Sequence, residues 1–168
     1  FSNFEDQRIY RQERNASPQP LTRMCDMRYA DAVIDSHRRK IICVREDHTP
    51  TDFEPINTLV SIDLEDAHNG KVLVAGADFY SSPRLSPDGS RLAWVCWNHP
   101  NMPWDGSDLW VANLGPNDAL ADTRLVAGGT DESIFQPEWS PDGVLHFVSD
   151  RTGWWNLYKE ADGETRAL

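Results

Sequence analysis

Apolar residues along the chain fall into short runs separated by turn-forming residues, and the clearest is RLAWVCW, Arg91 to Trp97. In an extended segment Leu92, Trp94 and Cys96 point one way while Ala93, Val95 and Trp97 point the other. Both faces are therefore apolar. A strand with one wet face would alternate apolar with polar positions, so this one is predicted to be covered on both sides. KIICV at 40–44, NTLVSIDL at 57–64, SDLWVANL at 107–114 and VLHFVS at 144–149 are of the same kind, rich in Val, Ile, Leu and Trp. No helical period is sustained anywhere.

The runs recur in a fixed order. Ser-Pro-Asp-Gly begins at Ser86 and again at Ser140, 54 residues on. LVAGADFYSSP at 73–83 aligns with LVAGGTDESIFQP at 125–137, and the second and third runs of each unit align likewise. The unit is about 50 residues with four strands, which is what a β-propeller stacks around its axis. Ser-Pro-Asp-Gly then reads as the turn from the innermost strand to the second. Proline presets φ, Asp bonds the backbone, and Gly takes the left-handed conformation.

The fold class expected is all-β, a partial β-propeller of four-stranded antiparallel blades. DQRIYR at 6–11 and QPLT at 19–22 supply the outer half of a blade over 1–26, and full blades follow over 27–80, 81–134 and 135–168. That makes about three and a half blades, an open arc where closed propellers typically carry four to eight. An end that leaves on the order of 500 Å² of apolar face exposed forgoes ~12 kcal/mol of gross burial at ~25 cal/mol/Å². The isolated segment is therefore expected to self-associate, and a monodisperse monomer in sedimentation velocity would contradict this. The chain opens on Phe1 and stops at Leu168 with no closing motif, as a segment of a longer protein would.

Charge narrows the partners. Sixteen basic against 27 acidic residues leave a net charge of −11, which repels phosphate backbones and anionic lipid, so neither nucleic acid nor membrane is expected as a partner. Cys25, Cys43 and Cys96 include no Cys-x-x-Cys pair, and reduced, mostly buried thiols in a cytoplasmic protein are the expectation. No signal peptide is legible.

At PRLSPDGSRLAWV, PEWSPDG and VSDRTGWWNLY the chain resembles the TolB-like propeller repeat. FSNFEDQRIYR and WNHPNMPWDGSDLW narrow this to the N-terminal β-propeller of prolyl oligopeptidase family serine peptidases, the branch of dipeptidyl aminopeptidases and acylaminoacyl peptidases. The resemblance implies a lid and substrate filter over a C-terminal α/β-hydrolase domain that acts on short peptides. That domain is absent here, and no Gly-x-Ser-x-Gly elbow occurs, so no catalytic residue, cofactor or metal is expected in the segment. The runner-up is a non-enzymatic TolB-like scaffold that binds a protein partner. A sugar-processing propeller enzyme ranks last, because the innermost strands PRLS and PEWS supply only Glu138 as an inward acid.

The long loops carry the best functional candidates, since function gathers on elaborated loops of a rigid scaffold. Trp97, His99, Asn101, Met102, Trp104 and Asp105 form the candidate surface for substrate or the hydrolase domain, with self-plugging of the loop as the equal alternative. Glu132, with Glu54, Asp78 and Asp131, is a candidate for holding a substrate ammonium, against the plainer reading of solvated loop charges. His146 reads as a packed strand residue, and of Trp154 and Trp155 at least one is expected in the core. Asp63, Glu65 and Asp66 near Gly70 miss the glycine spacing of a calcium loop and read as a solvated turn.

Overall fold

The computed structural model describes residues 1–50, 54–65, 68–161 and 163–168. Residues 51–53 of the first long loop, Asp66 of the rejected calcium reading and Asp162 of the last hairpin turn lie outside the described residues. The chain is all-β. It divides into two compact units, Phe1–Gly76 and Ala77–Leu168.

The first unit holds a two-stranded sheet, β1 (Tyr10–Arg11) with β2 (Gln19–Pro20), and a four-stranded antiparallel meander. The meander runs β3 (Met27–Asp35), β4 (Lys40–Asp47), β5 (Ile56–Asp63) and β6 (Lys71–Val74). Ile9 and Leu21 flank the small sheet and pack with Tyr29, Ile41, Cys43, Val60 and Ile62 of the large one. The strand expected over 6–11 is shorter than its sequence suggests. Asp6 instead ties a turn, accepting from the Asn3 amide, the Arg8 N–H and the Tyr10 hydroxyl at 2.9, 3.2 and 2.5 Å, while Gln7 sits at φ 58°.

The second unit contains two complete blades. One runs β7 (Phe79–Leu85), β8 (Arg91–Trp97), β9 (Asp108–Leu114) and β10 (Leu120–Gly128), and the other β11 (Ile134–Trp139), β12 (Leu145–Ser149), β13 (Asn156–Ala161) and β14 (Glu164–Ala167). Their facing sides build one core. Ala93, Val95, Leu109, Val111 and Ala127 come from the first blade, and Ile134, Leu145, Phe147 and Tyr158 from the second. This is why RLAWVCW is apolar on both sides: Leu92 through Val95 are each at most 2% exposed.

Both Ser-Pro-Asp-Gly turns join an innermost strand to its neighbour. Ser86 and Ser140 each receive the N–H of the glycine, at 2.8 and 2.9 Å, and those glycines are left-handed at φ 68° and 81°. Just before each turn the innermost strand carries a bulge with a left-handed non-glycine residue, Ser82 or Gln136, followed by a fully buried proline, Pro83 or Pro137. The bulge leaves that position outside the ladder, so proline's missing N–H costs no strand bond. The blades are also latched at this edge. Arg84 pairs with Glu138 at 2.9 Å, and the Trp139 indole donates to the Arg84 carbonyl at 3.0 Å. The Arg91 guanidinium lies 4.4 Å from the centroid of the Trp139 ring.

One expectation fails in the second unit. Trp154 and Trp155 precede β13 in a loop and are 80% and 52% exposed, so neither is core. The Thr152-Gly153 turn and the Asn156 side chain, which donates to the Thr152 hydroxyl and the Trp154 carbonyl, hold them outside the ladder. His146 lies in β12 and is half-buried, its Nδ1 at 3.2 Å from the Val144 carbonyl oxygen.

Candidate functional site

Residues 98–107 leave β8 and return as β9, and side-chain bonds fix this loop at each bend. The Asn98 side-chain Oδ1 accepts from the Asp78 N–H at 2.8 Å, and the Asp78 carboxylate accepts from the His99 N–H at 2.9 Å. Phe79 is stacked on Trp97 with centroids 5.4 Å apart and meets the edge of His99 at 5.0 Å. Trp97 therefore plugs its own blade, packed against the shared core.

The next bend projects outward. Asp105 accepts from the Met102 N–H at 3.0 Å and returns its own N–H to the Met102 carbonyl at 2.9 Å. Met102 and Trp104 on this bend are 45% and 63% exposed, so here the loop faces solvent. The loop then docks on residues 129–133. Asn101 donates to the Thr130 carbonyl at 2.8 Å, Ser133 to the Pro103 carbonyl at 2.6 Å, and the Ser107 N–H to the Glu132 carbonyl at 2.9 Å.

Between these loops and the ends of β8 and β9 lies a cavity of about 240 Å³, lined among others by Trp97, His99, Asn101, Ser107, Asp108 and Thr130. Its floor depends on glycine. A Cβ on Gly106 would stand 2.5 Å from the Asn101 amide nitrogen and from the carbonyl oxygens of Gly129 and Thr130. Gly128, at φ 112°, would drive a Cβ into the Ser107 carbonyl. Asp108, opposite Cys96 in the ladder, is half-buried, and burial pushes its carboxyl above the ordinary aspartate value against a hydrogen bond with Trp110. Burial first, then the Asp108 charge, pushes the Cys96 thiol up to about 12, so it stays an inert thiol.

The structure thus gathers three of the sequence-derived candidates, Trp97, His99 and Asn101, at one cavity. Met102, Trp104 and Asp105 sit on the projecting bend, and Glu132 is engaged elsewhere. The Glu132 Oε1 accepts from the Ser149 hydroxyl at 2.6 Å and from Arg151 at 2.7 Å. It is an intramolecular anchor rather than a solvated loop charge, while Asp131 is exposed. Glu138, the inward acid of the sugar-enzyme reading, is held by Arg84. Asp63 caps the Glu65 N–H at 2.8 Å, and Glu65 pairs with Arg39 at 2.6 Å, as a turn would.

Sequence reasoning missed Asp108, Gly106 and Gly128. The available signal was an acid opening a mostly apolar strand, DLWVANL, laddered to Cys96.

No family model and no curated protein matches the chain. Solved structures do. The fold and loop face define a partial β-propeller, and a puromycin hydrolase mutant complexed with PGG superimposes on all of it. The TM-score is 0.91 and the identity 37%, covering 100% of this chain and 28% of that one. A puromycin-hydrolyzing peptidase from Mycobacterium tuberculosis gives 0.88 and 38% over the same shares. TolB from Acinetobacter baumannii, at 0.62 and 18% over 90% of this chain and 34% of its own, shares the fold. Along its whole length, then, the chain resembles the N-terminal propellers of prolyl oligopeptidase family peptidases, with TolB-like repeats. It spans 28% of the length of the puromycin hydrolases it matches. No helix among the described residues is long and apolar enough to cross a membrane.

Proposed function

We propose that this chain is the propeller portion of a serine-type peptidase acting on short peptides. It serves as lid and substrate filter beside a C-terminal α/β-hydrolase domain and breaks no bond itself. The observation that carries this reading is the 37% identity with puromycin hydrolase over the entire chain, in a structure that holds PGG. The elements it shares are not fold alone, since the TolB likeness at 18% reaches no further than fold. That leaves the scaffold alternative without an observation of its own.

On this reading the cavity residues Trp97, His99 and Asn101 and the projecting bend of Met102, Trp104 and Asp105 meet substrate or the hydrolase domain, with Glu132 fixing the loop beneath them. Three free cysteines, two of them buried, support a reducing, cytoplasmic setting. Phe135, Trp155 and Leu157, exposed on the last blade at 59%, 52% and 47%, support self-association of the segment when isolated.

The test uses the full-length protein that carries this segment and the 168-residue chain alone, assayed on a tripeptide amide and on a long unstructured peptide. The full-length protein should cleave the tripeptide in preference, and shortening the loop at 98–107 should narrow that preference. Cleavage by the 168-residue chain alone, or no peptidase activity in the full-length protein, would overturn the reading.

A further inference from the structure

The turn that misses the calcium spacing ends in Asn69-Gly70, and no other asparagine of the chain is followed by glycine. Glycine leaves the peptide nitrogen after Asn69 unshielded by any side chain of its own. Both residues are half-buried on the link from β5 to β6, where solvent still reaches them. Gly70 stands at φ 90°, and an added Cβ would meet Val60 at 2.8 Å, so the position is held to glycine.

The contacts around this pair fall on the atoms that one reaction needs. The Gly70 N–H donates to the His68 Nδ1 at 2.9 Å. The Asn69 main-chain carbonyl accepts from the Tyr29 hydroxyl at 3.3 Å and from the Arg45 guanidinium at 3.1 Å. Tyr29 and Arg45 are partners in the β3–β4 ladder, so the sheet fixes both donors. The Asn69 side-chain Oδ1 accepts from the Arg23 N–H at 3.2 Å. The Asp63 N–H also points at the His68 ring, 3.3 Å from Nε2. A neutral imidazole offers only one lone pair, and the shorter contact assigns it to Nδ1. Loss of the Gly70 proton would put negative charge on the Asn69 carbonyl oxygen, where Tyr29 and Arg45 stabilise it. The Arg23 N–H does the same for the side-chain amide oxygen when a nucleophile adds to its carbon.

We propose that Asn69 is a self-modification site, at which the fold itself promotes deamidation through a succinimide. His68 Nδ1 takes the Gly70 proton as general base, and the Gly70 nitrogen bonds to the Asn69 Cγ. The Cγ–Nδ2 bond then breaks, and ammonia leaves with the proton that His68 took. Water opens the resulting five-membered ring at either carbonyl, giving aspartate or isoaspartate at position 69. The isoaspartyl product carries one extra main-chain carbon just before Gly70, which already packs against Val60. The modification therefore disturbs the link into β6.

This inference stands apart from the peptidase reading and is tested on the 168-residue chain. The chain is incubated at neutral pH and physiological temperature beside a synthetic, unstructured peptide of residues 64–74. Conversion is read by mass spectrometry of the tryptic peptide 46–71, and isoaspartate by labelling with an isoaspartyl methyltransferase. Asn69 in the folded chain should convert at least about tenfold faster than in the peptide, since a positioned general base contributes about 10²–10⁴-fold. His68→Gln should bring the folded chain to within about twofold of the peptide, the loss expected when that base is removed. Tyr29→Phe should slow it about fivefold, the scale of one hydrogen bond. The same change at the exposed His37, His37→Gln, should leave the rate unaltered. A wild-type chain that converts no faster than the peptide overturns the proposal without recourse to any variant, as does a product free of isoaspartate. A His68→Gln chain with native tryptophan emission and an unchanged rate overturns the role of His68.

Discussion

The turn after β3 and the turn after β7 reverse the chain at equivalent places in their blades, yet they share almost no sequence. At 86–89 the work is divided. The Ser86 hydroxyl accepts from the Arg91 N–H at 2.9 Å and donates to Asp88 at 2.6 Å, and Gly89 supplies the left-handed residue. At 35–39 one buried carboxylate does most of it. Asp35, 1% exposed, accepts from the N–H groups of His37 and Arg38, both at 3.0 Å, and pairs with the Arg38 guanidinium at 2.8 Å. The left-handed position falls on Arg39 at φ 56°. A geometric demand, rather than a motif, is what repeats.

The comparison predicts unequal sensitivity. Asp35 concentrates three charge-assisted bonds in one buried group, whereas Ser86 shares its load with Asp88. Asp35→Ala should cost about 3 kcal/mol and Ser86→Ala about 1.5 kcal/mol, since hydrogen bonds to charged groups contribute ~1.5–3 kcal/mol and are not additive. Urea unfolding of both variants checks the order. Equal losses would mean that the carboxylate is interchangeable with the Ser-Asp pair.

Backbone strain sharpens the contrast with opposite signs. Gly143, the φ 81° residue of the second Ser-Pro-Asp-Gly turn, has room beside it: an added Cβ meets only the tip of Arg91, at 3.1 Å. Gly143→Ala should therefore destabilise by about 1 kcal/mol, mostly through the left-handed backbone. Arg39→Gly should do the reverse. It relieves about 1 kcal/mol of left-handed cost but loosens the unfolded chain, for a net gain near ~0.5 kcal/mol. The exposed Arg39–Glu65 pair that it removes is worth little. Thermal melts of the two variants should move in opposite directions.

This contrast also explains what was legible in the sequence. Ser-Pro-Asp-Gly is visible because four local residue types are needed in order, and the doubly apolar strands are visible because two covered faces leave no polar positions. The 35–39 turn was invisible as a turn of the same kind, because a single Asp replaces the string. The bulges at Ser82 and Gln136 were written as Ser-Pro and Gln-Pro, but their meaning depends on strand pairing that no local pattern encodes. The site was legible in part. Trp97, His99 and Asn101 stood out as a loop of unusual composition, whereas Asp108 becomes a site residue only once β8, β9 and the 129–133 loop are brought together. Trp154 and Trp155 misled because exposure of aromatics is decided by where β13 begins, not by their hydrophobicity.

The smallest expected effect concerns acid. The Ser86 hydroxyl, and after it the Ser90 hydroxyl and N–H, hold the Asp88 carboxyl well below the usual aspartate range. Asp142 is held low in the same way, first by Ser140. A carboxyl whose folded pKa is below its unfolded one binds protons more weakly when folded. Its stabilising contribution is complete above about pH 4, where the unfolded group is ionised, and fades as pH falls through the lower folded value. In Ser86→Ala the largest cause of that depression is gone. The gap in Tm between wild type and Ser86→Ala should therefore be widest near about pH 7 and shrink toward about pH 2. Differences between the two proteins cancel the other depressed carboxyls, Asp6, Asp47 and Asp142, which both retain. A gap that stays constant across this range would show that Ser86 acts on the Arg91 N–H alone, leaving Asp88 outside the turn's energetics.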